Sequence, residues 1–187
     1  MDAEISKALS RVLPFVAVLL IIIVQAKRGK LDTNKIDLQM PSSIMLMFGI
    51  WVGYLFYILG IEFITFKAGY LDASQWHYGL PSSIIRLIGS IILAPIVEEI
   101  LFRGLILNAL VNRNIKYTKA IMIQAIVFVL MHNIEYQNNF QTYYTIAYGL
   151  MDSILFALVR KKTGSLYTSM GMHIIGNSIA IAERFIL

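Results

Sequence analysis

Long apolar runs alternate with short polar stretches along the whole chain. Six runs predict helices, at residues 9–26, 42–66, 83–111, 119–132, 140–159 and 165–187. About 20 predominantly apolar residues span a bilayer as an α-helix, and the second, third, fifth and sixth runs reach that length comfortably. The fourth run is short, so we expect its helix to be partly shielded by its neighbours. The pattern predicts an all-α fold, a polytopic membrane bundle of about six transmembrane helices.

The composition supports a lipid-facing surface rather than a water-facing one. Of the 187 residues, 58% are hydrophobic and only 14% are charged, whereas a soluble domain usually carries about a quarter charged residues. The chain has no cysteine, which excludes disulfides, thiolate catalysis and Cys-ligated zinc. We therefore expect a single transmembrane domain over residues 1–187.

The basic residues sit in alternate loops. They form short clusters without interleaved aromatic side chains, which argues against nucleic acid as a partner of this chain of net charge +5. The clusters are Lys27, Arg28, Lys30 and Lys35; Arg113, Lys116 and Lys119; and Arg160, Lys161 and Lys162. By the positive-inside rule these loops are cytoplasmic and both termini lie outside. The first run precedes basic residues rather than a small-residue cleavage site, so it is expected to be a retained anchor.

Several ionisable or strongly polar residues interrupt the predicted spans. The third run contains Glu98, Glu99 and Arg103, the fourth ends at His132, and the sixth contains His173 and Asn177. Such groups cost several kcal/mol each inside a bilayer and are a functional-site hypothesis by default. They are therefore the candidate functional residues of this chain.

Depth in the membrane groups four of these residues. At about 1.5 Å of rise per residue, Glu98, His132, His173 and Asn177 all fall roughly 14–21 Å from the cytoplasmic face. His173 and Asn177 are also spaced i, i+4 and so share a helix face. The spacing therefore predicts that three helices bring a carboxylate, two imidazoles and an amide to one level.

The neighbouring Glu99 and Arg103 suggest an internal ion pair. They are spaced i, i+4 on the third helix. Glu98 is rotated by about 100° from Glu99 around the helix axis, so it can face a cavity while Arg103 neutralises the other carboxylate. Pro95, one turn earlier, is expected to kink the helix and free backbone groups.

The polar residues form three motifs in chain order. They are Glu-Glu-x-x-x-Arg at 98–103, Phe-x-x-x-His at 128–132 and His-x-x-x-Asn at 173–177. Together they resemble the CPBP (CAAX protease and bacteriocin-processing) family, which includes type II CAAX prenyl endopeptidases and bacterial Abi proteins. Each motif alone is weak, whereas all three in order at membrane depth are specific. The motif-bearing core is about 83–187.

The resemblance implies an intramembrane endopeptidase that hydrolyses peptide bonds of a membrane-associated peptide or protein. Glu98 would be the base that activates water with help from His132, and His173 and Asn177 would donate hydrogen bonds to the oxyanion. Supporting roles, holding the helix and orienting the base, would fall to Glu99 and Arg103. The partner would be a membrane-embedded or lipidated substrate.

The same residues leave a metal open. Two histidines, one glutamate and a water also form an open catalytic zinc site. If a divalent metal such as zinc is present, its ligands would be Glu98, His132 and His173. Residue types alone do not separate this arrangement from a water activated by glutamate without metal.

Two other function classes compete with proteolysis. One is a non-enzymatic membrane partner, such as a bacteriocin-immunity or sensor-regulating protein. The other is a proton-coupled transporter, since carboxylates and histidines also build relays, although the chain lacks the two similar halves typical of transporters. The small size resembles the bacterial branch of the family and implies a bacterial cytoplasmic membrane.

Four further positions carry weaker signals. Asp152 in the fifth run is expected either to contact and orient a histidine of the site or to line a water-filled cavity. Gly49, Gly53 and Gly60 in the second run suggest that another helix approaches closely.

Overall fold

The computed structural model describes residues 3–69, 78–132 and 139–186 of the chain. All regular structure in these ranges is helical, in six helices. They are α1 (Ala3–Lys27), α2 (Ile44–Lys67), α3 (80–112), α4 (Tyr117–Met131), α5 (Phe140–Thr163) and α6 (Leu166–Ile186). A short 3₁₀ turn, Asn34–Ile36, lies in the loop after α1. The predicted all-α class and all six predicted helices are confirmed.

The third helix is irregular. It runs through α-helical Leu80–Leu87, π-helical Ile88–Leu93, α-helical Ala94–Glu98, π-helical Glu99–Ile106 and α-helical Leu107–Asn112. Pro95, which has no N–H to donate, lies in the short α-helical stretch between the two π stretches. Pro95 therefore lies between two stretches of widened helix, a feature frequently found at functional sites, and the kink at Pro95 stays a prediction.

The lengths and outer surfaces of the helices suit a lipid bilayer. Three of them are long and apolar enough to cross a membrane, namely Ala3–Lys27, Ile44–Lys67 and Thr142–Thr163. Large apolar side chains cover the outside of the bundle, for example Phe48, Phe56, Ile64 and Leu130, where water would penalise them and hydrocarbon does not. The chain is an integral membrane protein with a helical bundle.

The short α4 is shielded as expected. Its 15 residues pack against α5 and α3, and one face, which includes Ala120, Gln124 and Phe128, is buried. The buried Gln124 donates a hydrogen bond of 2.9 Å to the hydroxyl of Ser153 on α5. Polar contacts between helices thus hold α4 within the bundle.

Close helix approach occurs at other glycines than those predicted. A side chain at Gly171 of α6 would overlap the ring of Trp51 of α2, and one at Gly89 of α3 would overlap Val12 of α1. By contrast, Gly49, Gly53 and Gly60 have no atom within 4 Å of a built Cβ, so the prediction that they mark a close contact is wrong. The reason is that α2 is apolar on all sides, and such a sequence does not reveal which face meets a neighbour.

A buried arginine joins the loops at one end of the bundle. Arg160, near the C-terminal end of α5, donates from Nε to Asp37 Oδ2 at 2.9 Å, and its Nη2 lies 2.8 Å from the same carboxylate oxygen in an ion pair. It also donates to Asn108 Oδ1 at 3.0 Å and to the backbone carbonyl of Arg103. These contacts bring together the loop after α1, the C-terminal end of α3 and the end of α5. The three basic clusters therefore lie at the same end of the bundle.

The opposite end is joined by a carboxylate near the start of α1. Glu4 accepts hydrogen bonds from the backbone N–H of Gly79 at 3.0 Å and from the hydroxyl of Ser82 at 3.2 Å. It thereby ties α1 to the N-terminal end of α3, whose first backbone N–H groups have no partner within the helix.

We expect replacement of Arg160 by methionine to destabilise the bundle by about 1.5–3 kcal/mol, the range for hydrogen bonds that involve a charged group. The melting temperature in detergent measures this loss. Lys162→Met is the matched control, because Lys162 is exposed in the same cluster and its loss should leave the melting temperature nearly unchanged. Equal melting temperatures for the two variants would contradict the assigned role of Arg160.

Candidate active site

Glu99 and Arg103 form an ion pair in the centre of the protein. Both side chains are fully buried, and Arg103 Nη1 lies 2.9 Å from Glu99 Oε1. The guanidinium N–H groups are not aligned for a linear hydrogen bond to the carboxylate, so the attraction is mainly between the charges. The predicted i, i+4 pair is confirmed.

Aromatic rings enclose the buried guanidinium. Its carbon lies 4.5 Å from the centre of the Phe128 ring and 5.2 Å from that of Phe156. Ring faces attract a cation, more strongly when water is excluded. Arg103 of α3 is therefore held between α4 and α5, and this arrangement orients the whole π-helical stretch that begins at Glu99.

His173 of α6 lies between the two glutamates. Its Nδ1 is 3.0 Å from Glu99 Oε1. An ionised carboxylate only accepts hydrogen bonds, so Nδ1 carries the proton and donates. The other ring nitrogen, Nε2, is 3.6 Å from Glu98 Oε2. The pair of Glu99 and Arg103 thus fixes both the ring position and the tautomer of this histidine.

His132, just after α4, approaches Glu98 from another helix. Its Nδ1 is 2.7 Å from the backbone carbonyl of Phe128, an acceptor, so this nitrogen also donates. Its Nε2 is 3.8 Å from Glu98 Oε2. When the ring is neutral, it therefore presents a lone pair towards the carboxylate.

The predicted convergence around Glu98 is confirmed by these distances. The separations of 3.6 and 3.8 Å are too long for direct hydrogen bonds, and they suit groups that share a small molecule between them. Asn177 lies beside the two histidines in the same cavity. One of its amide hydrogens is donated to the backbone carbonyl of Ser90 at 2.8 Å, and the second remains available.

Glu98, His132, His173 and Asn177 line a cavity of about 870 Å³ between α1 and α3. The N-terminal half of α1 forms one wall, at Ser10–Phe15, and α3 forms the other. The cavity extends towards Tyr78 and Arg86, and hence towards the end of the bundle that lacks the basic loops. A peptide could reach Glu98 along it.

A second cavity, of about 280 Å³, lies on the other side of the histidines. Asp152 lines it, and its Oδ2 accepts a hydrogen bond of 2.9 Å from the hydroxyl of Tyr54. Of the two interpretations of Asp152, cavity lining is supported, and no hydrogen bond to a histidine is found within the described ranges. Tyr54 and Ser90 were missed by the sequence motifs, because nothing in their local sequence distinguishes them.

The side-chain types at the site suit a metal ion better than their arrangement does. Carboxylate and imidazole are ordinary zinc ligands. However, over residues 3–69, 78–132 and 139–186, no three His, Cys, Asp or Glu side chains are arranged to hold a metal ion.

The fold and the site define a helical integral membrane protein with a polar site enclosed within its bundle. Residues 80–179 match the protein family described as "Type II CAAX prenyl endopeptidase Rce1-like". The matched region covers more than half of the chain and contains all three motifs, and the chain belongs to this family. At the family level it is an intramembrane CAAX-type endopeptidase, and its substrate is membrane-associated. No curated protein and no solved structure matches the chain significantly.

We expect Arg103→Met to destabilise the protein by about 3–5 kcal/mol, because Glu99 would remain buried without its cation. The melting temperature in detergent measures this effect. The double variant Glu99→Gln and Arg103→Met should recover most of the loss, since no uncompensated charge remains. Arg113→Met, at an exposed position, is the control. A double variant as unstable as Arg103→Met would contradict the electrostatic explanation.

Proposed function

We propose that the protein hydrolyses a peptide bond of a membrane-embedded or lipidated substrate, with Glu98 as the general base. The observation that carries this proposal is the position of Glu98 Oε2, 3.8 Å from His132 Nε2 and 3.6 Å from His173 Nε2. Glu98 keeps 15% exposure on the cavity while Glu99 is fully enclosed. Only the first carboxylate is accessible to water and substrate.

Glu98 and His132 activate the water. Because His132 Nδ1 donates to the Phe128 carbonyl, the neutral ring accepts at Nε2. A water between the two residues donates one hydrogen to Glu98 and one to His132, which leaves an oxygen lone pair for attack. Glu98 takes the proton as the oxygen adds to the scissile carbonyl carbon. The proton then passes to the amine nitrogen when the C–N bond breaks.

His173 and Asn177 stabilise the oxyanion of the tetrahedral intermediate. Asn177 has a second amide hydrogen beyond the one donated to Ser90. Since His173 already donates from Nδ1 to Glu99, it can donate from Nε2 only as the doubly protonated imidazolium. Two donors aimed at a developing negative charge supply the large electrostatic part of acyl-transfer catalysis.

The buried pair of Glu99 and Arg103 positions these groups without touching the substrate. Glu99 orients His173, and Arg103 neutralises Glu99. No step requires a metal in this scheme, because the carboxylate and the imidazole together accept both hydrogens of the water. If a divalent ion does bind, Glu98, His132 and His173 would hold it, and it would supply Lewis-acid activation of the water.

The orientation follows from the charged loops. We propose that the basic end of the bundle faces the cytoplasm of a bacterium and that both termini lie outside. Contacts of Arg160 with Asp37 and Asn108 support this, because they gather the basic loops at one end. The cavity that contains Glu98 then extends towards the outer leaflet.

We expect Glu98→Gln to lower kcat/KM by about 10²–10⁴-fold, the usual contribution of a positioned base. His132→Ala should give a loss in the same range. Membrane peptidomes of cells carrying wild-type protein or Glu98→Gln identify the cleaved peptide, and its hydrolysis by purified protein gives the rate. Asp32→Asn makes the same chemical change at an exposed carboxylate and should retain the wild-type rate.

Unchanged processing by Glu98→Gln at normal protein level would overturn the proposal. An immunity or sensor-regulating phenotype that survives this substitution would favour the non-enzymatic alternative.

Treatment with 1,10-phenanthroline tests the metal separately. We expect the hydrolysis rate of the purified protein to persist, because the protein groups alone complete the water-activating set. If the chelator abolishes hydrolysis and added zinc restores it, a metal is assigned to Glu98, His132 and His173 instead. Added cobalt and added calcium are compared as controls.

A further inference from the structure

Arg86 is a buried cation that the proteolytic scheme does not use. Its residue exposure is only 4%, and it lines the same cavity as Glu98. Its guanidinium carbon lies 4.0 Å from the centre of the Tyr78 ring. In the part of the chain that the structure describes, Arg86 has no ion pair, and its Nε has no hydrogen-bond partner.

Among the described residues, no carboxylate forms an ion pair with Arg86. Glu4, which lines a neighbouring cavity together with Arg86, accepts hydrogen bonds from Gly79 and Ser82. Arg11, which lines the cavity that contains Glu98, adds a second positive charge. A guanidinium withdrawn from water is costly unless an anion meets it, and its planar set of donors matches a carboxylate in two-point contact.

We propose that Arg86 binds a carboxylate of the peptide substrate. This inference rests on the proposed function and names a feature of its substrate. Twelve residues separate Arg86 from Glu98 in α3, about 18 Å at the α-helical rise. Six of the residues in between, Ile88–Leu93, are π-helical, and the smaller rise of this wider helix shortens the span. An extended peptide advances about 3.3–3.6 Å per residue. The carboxylate therefore lies roughly three to five residues from the scissile bond.

The shared cavity favours a peptide over a lipid headgroup as the source of the anion. Arg86 lines the same cavity as Glu98, His132 and Asn177, so a peptide bound at these residues shares the cavity with Arg86. The carboxylate is either the C-terminal one or that of an acidic side chain. Both have the same chemistry, and the Tyr78 ring on the guanidinium holds the cation in place for either.

The test uses the full chain in liposomes and a library of short N-palmitoylated peptides with randomised residues. The library is made once with C-terminal carboxylates and once with C-terminal amides, and cleavage is read by mass spectrometry. We expect wild-type protein to prefer peptides with a carboxylate roughly three to five residues from the cut by about 10- to 100-fold. Arg86→Gln should abolish the preference, and Arg86→Lys should retain part of it. Arg113→Gln is the matched control.

The preference is a ratio of rates within one preparation, so partial misfolding of a variant does not imitate the effect. Preference for free acids over amides assigns the C-terminal carboxylate, and preference that persists in amides containing Asp or Glu assigns a side chain. Equal cleavage with and without a carboxylate overturns the role of Arg86 while the proposed function stands. A dependence of the Arg86→Gln defect on anionic phospholipid, and not on the peptide, overturns it in favour of a lipid phosphate.

Absence of cleavage would count against the proposed function, and binding then tests Arg86 independently. The Glu98→Gln protein is incubated with the same two libraries, and retained peptides are identified. Retention of carboxylate peptides that Arg86→Gln removes supports the inference. Equal retention of peptides with and without a carboxylate, or retention of no peptide, overturns it.

Discussion

A positive and a negative charge enclosed within a membrane bundle constrain this structure more than any other contact. Neither Glu99 nor Arg103 touches water, and an unpaired charge at this depth would cost several kcal/mol. The pair must therefore form within α3, and α4, α5 and α6 enclose it from the other sides. Phe128 and Phe156 enclose the cation, and His173 donates a hydrogen bond to the Glu99 oxygen that lies against the guanidinium. A neutral core could slide or rotate by small steps, whereas this network cannot.

The same network places two adjacent carboxylates in different surroundings. Glu99 is enclosed and orients a histidine, while Glu98, one residue earlier, faces the cavity. The π-helical stretch that begins at Glu99 widens the helix at this point. Hydrogen bonds on Nδ1 of both histidines, to Glu99 and to the Phe128 carbonyl, direct both Nε2 atoms towards Glu98. The chemistry of the site thus depends on contacts that the substrate never makes.

The cavities on the two sides of the histidines have different characters. The larger one carries the cations Arg86 and Arg11, and the smaller one carries Asp152 held by Tyr54. The imidazoles form part of both walls. Arginine side chains thus line the cavity that contains Glu98, and carboxylates line the other cavity.

The sequence by itself determined the six helices, the membrane setting and the central ion pair, because each depends on local composition or on residues one turn apart. It also determined that Glu98, His132, His173 and Asn177 lie at one depth, since helix rise converts residue number into height. Only the tertiary structure decided which way these side chains face, since rotation about each helix axis depends on packing. For the same reason Gly171 and Gly89, rather than Gly49 and Gly53, meet a neighbouring helix. The tautomers, the second cavity and the lack of an ion pair at Arg86 among the described residues depend on positions far apart in the chain, and no local pattern records them.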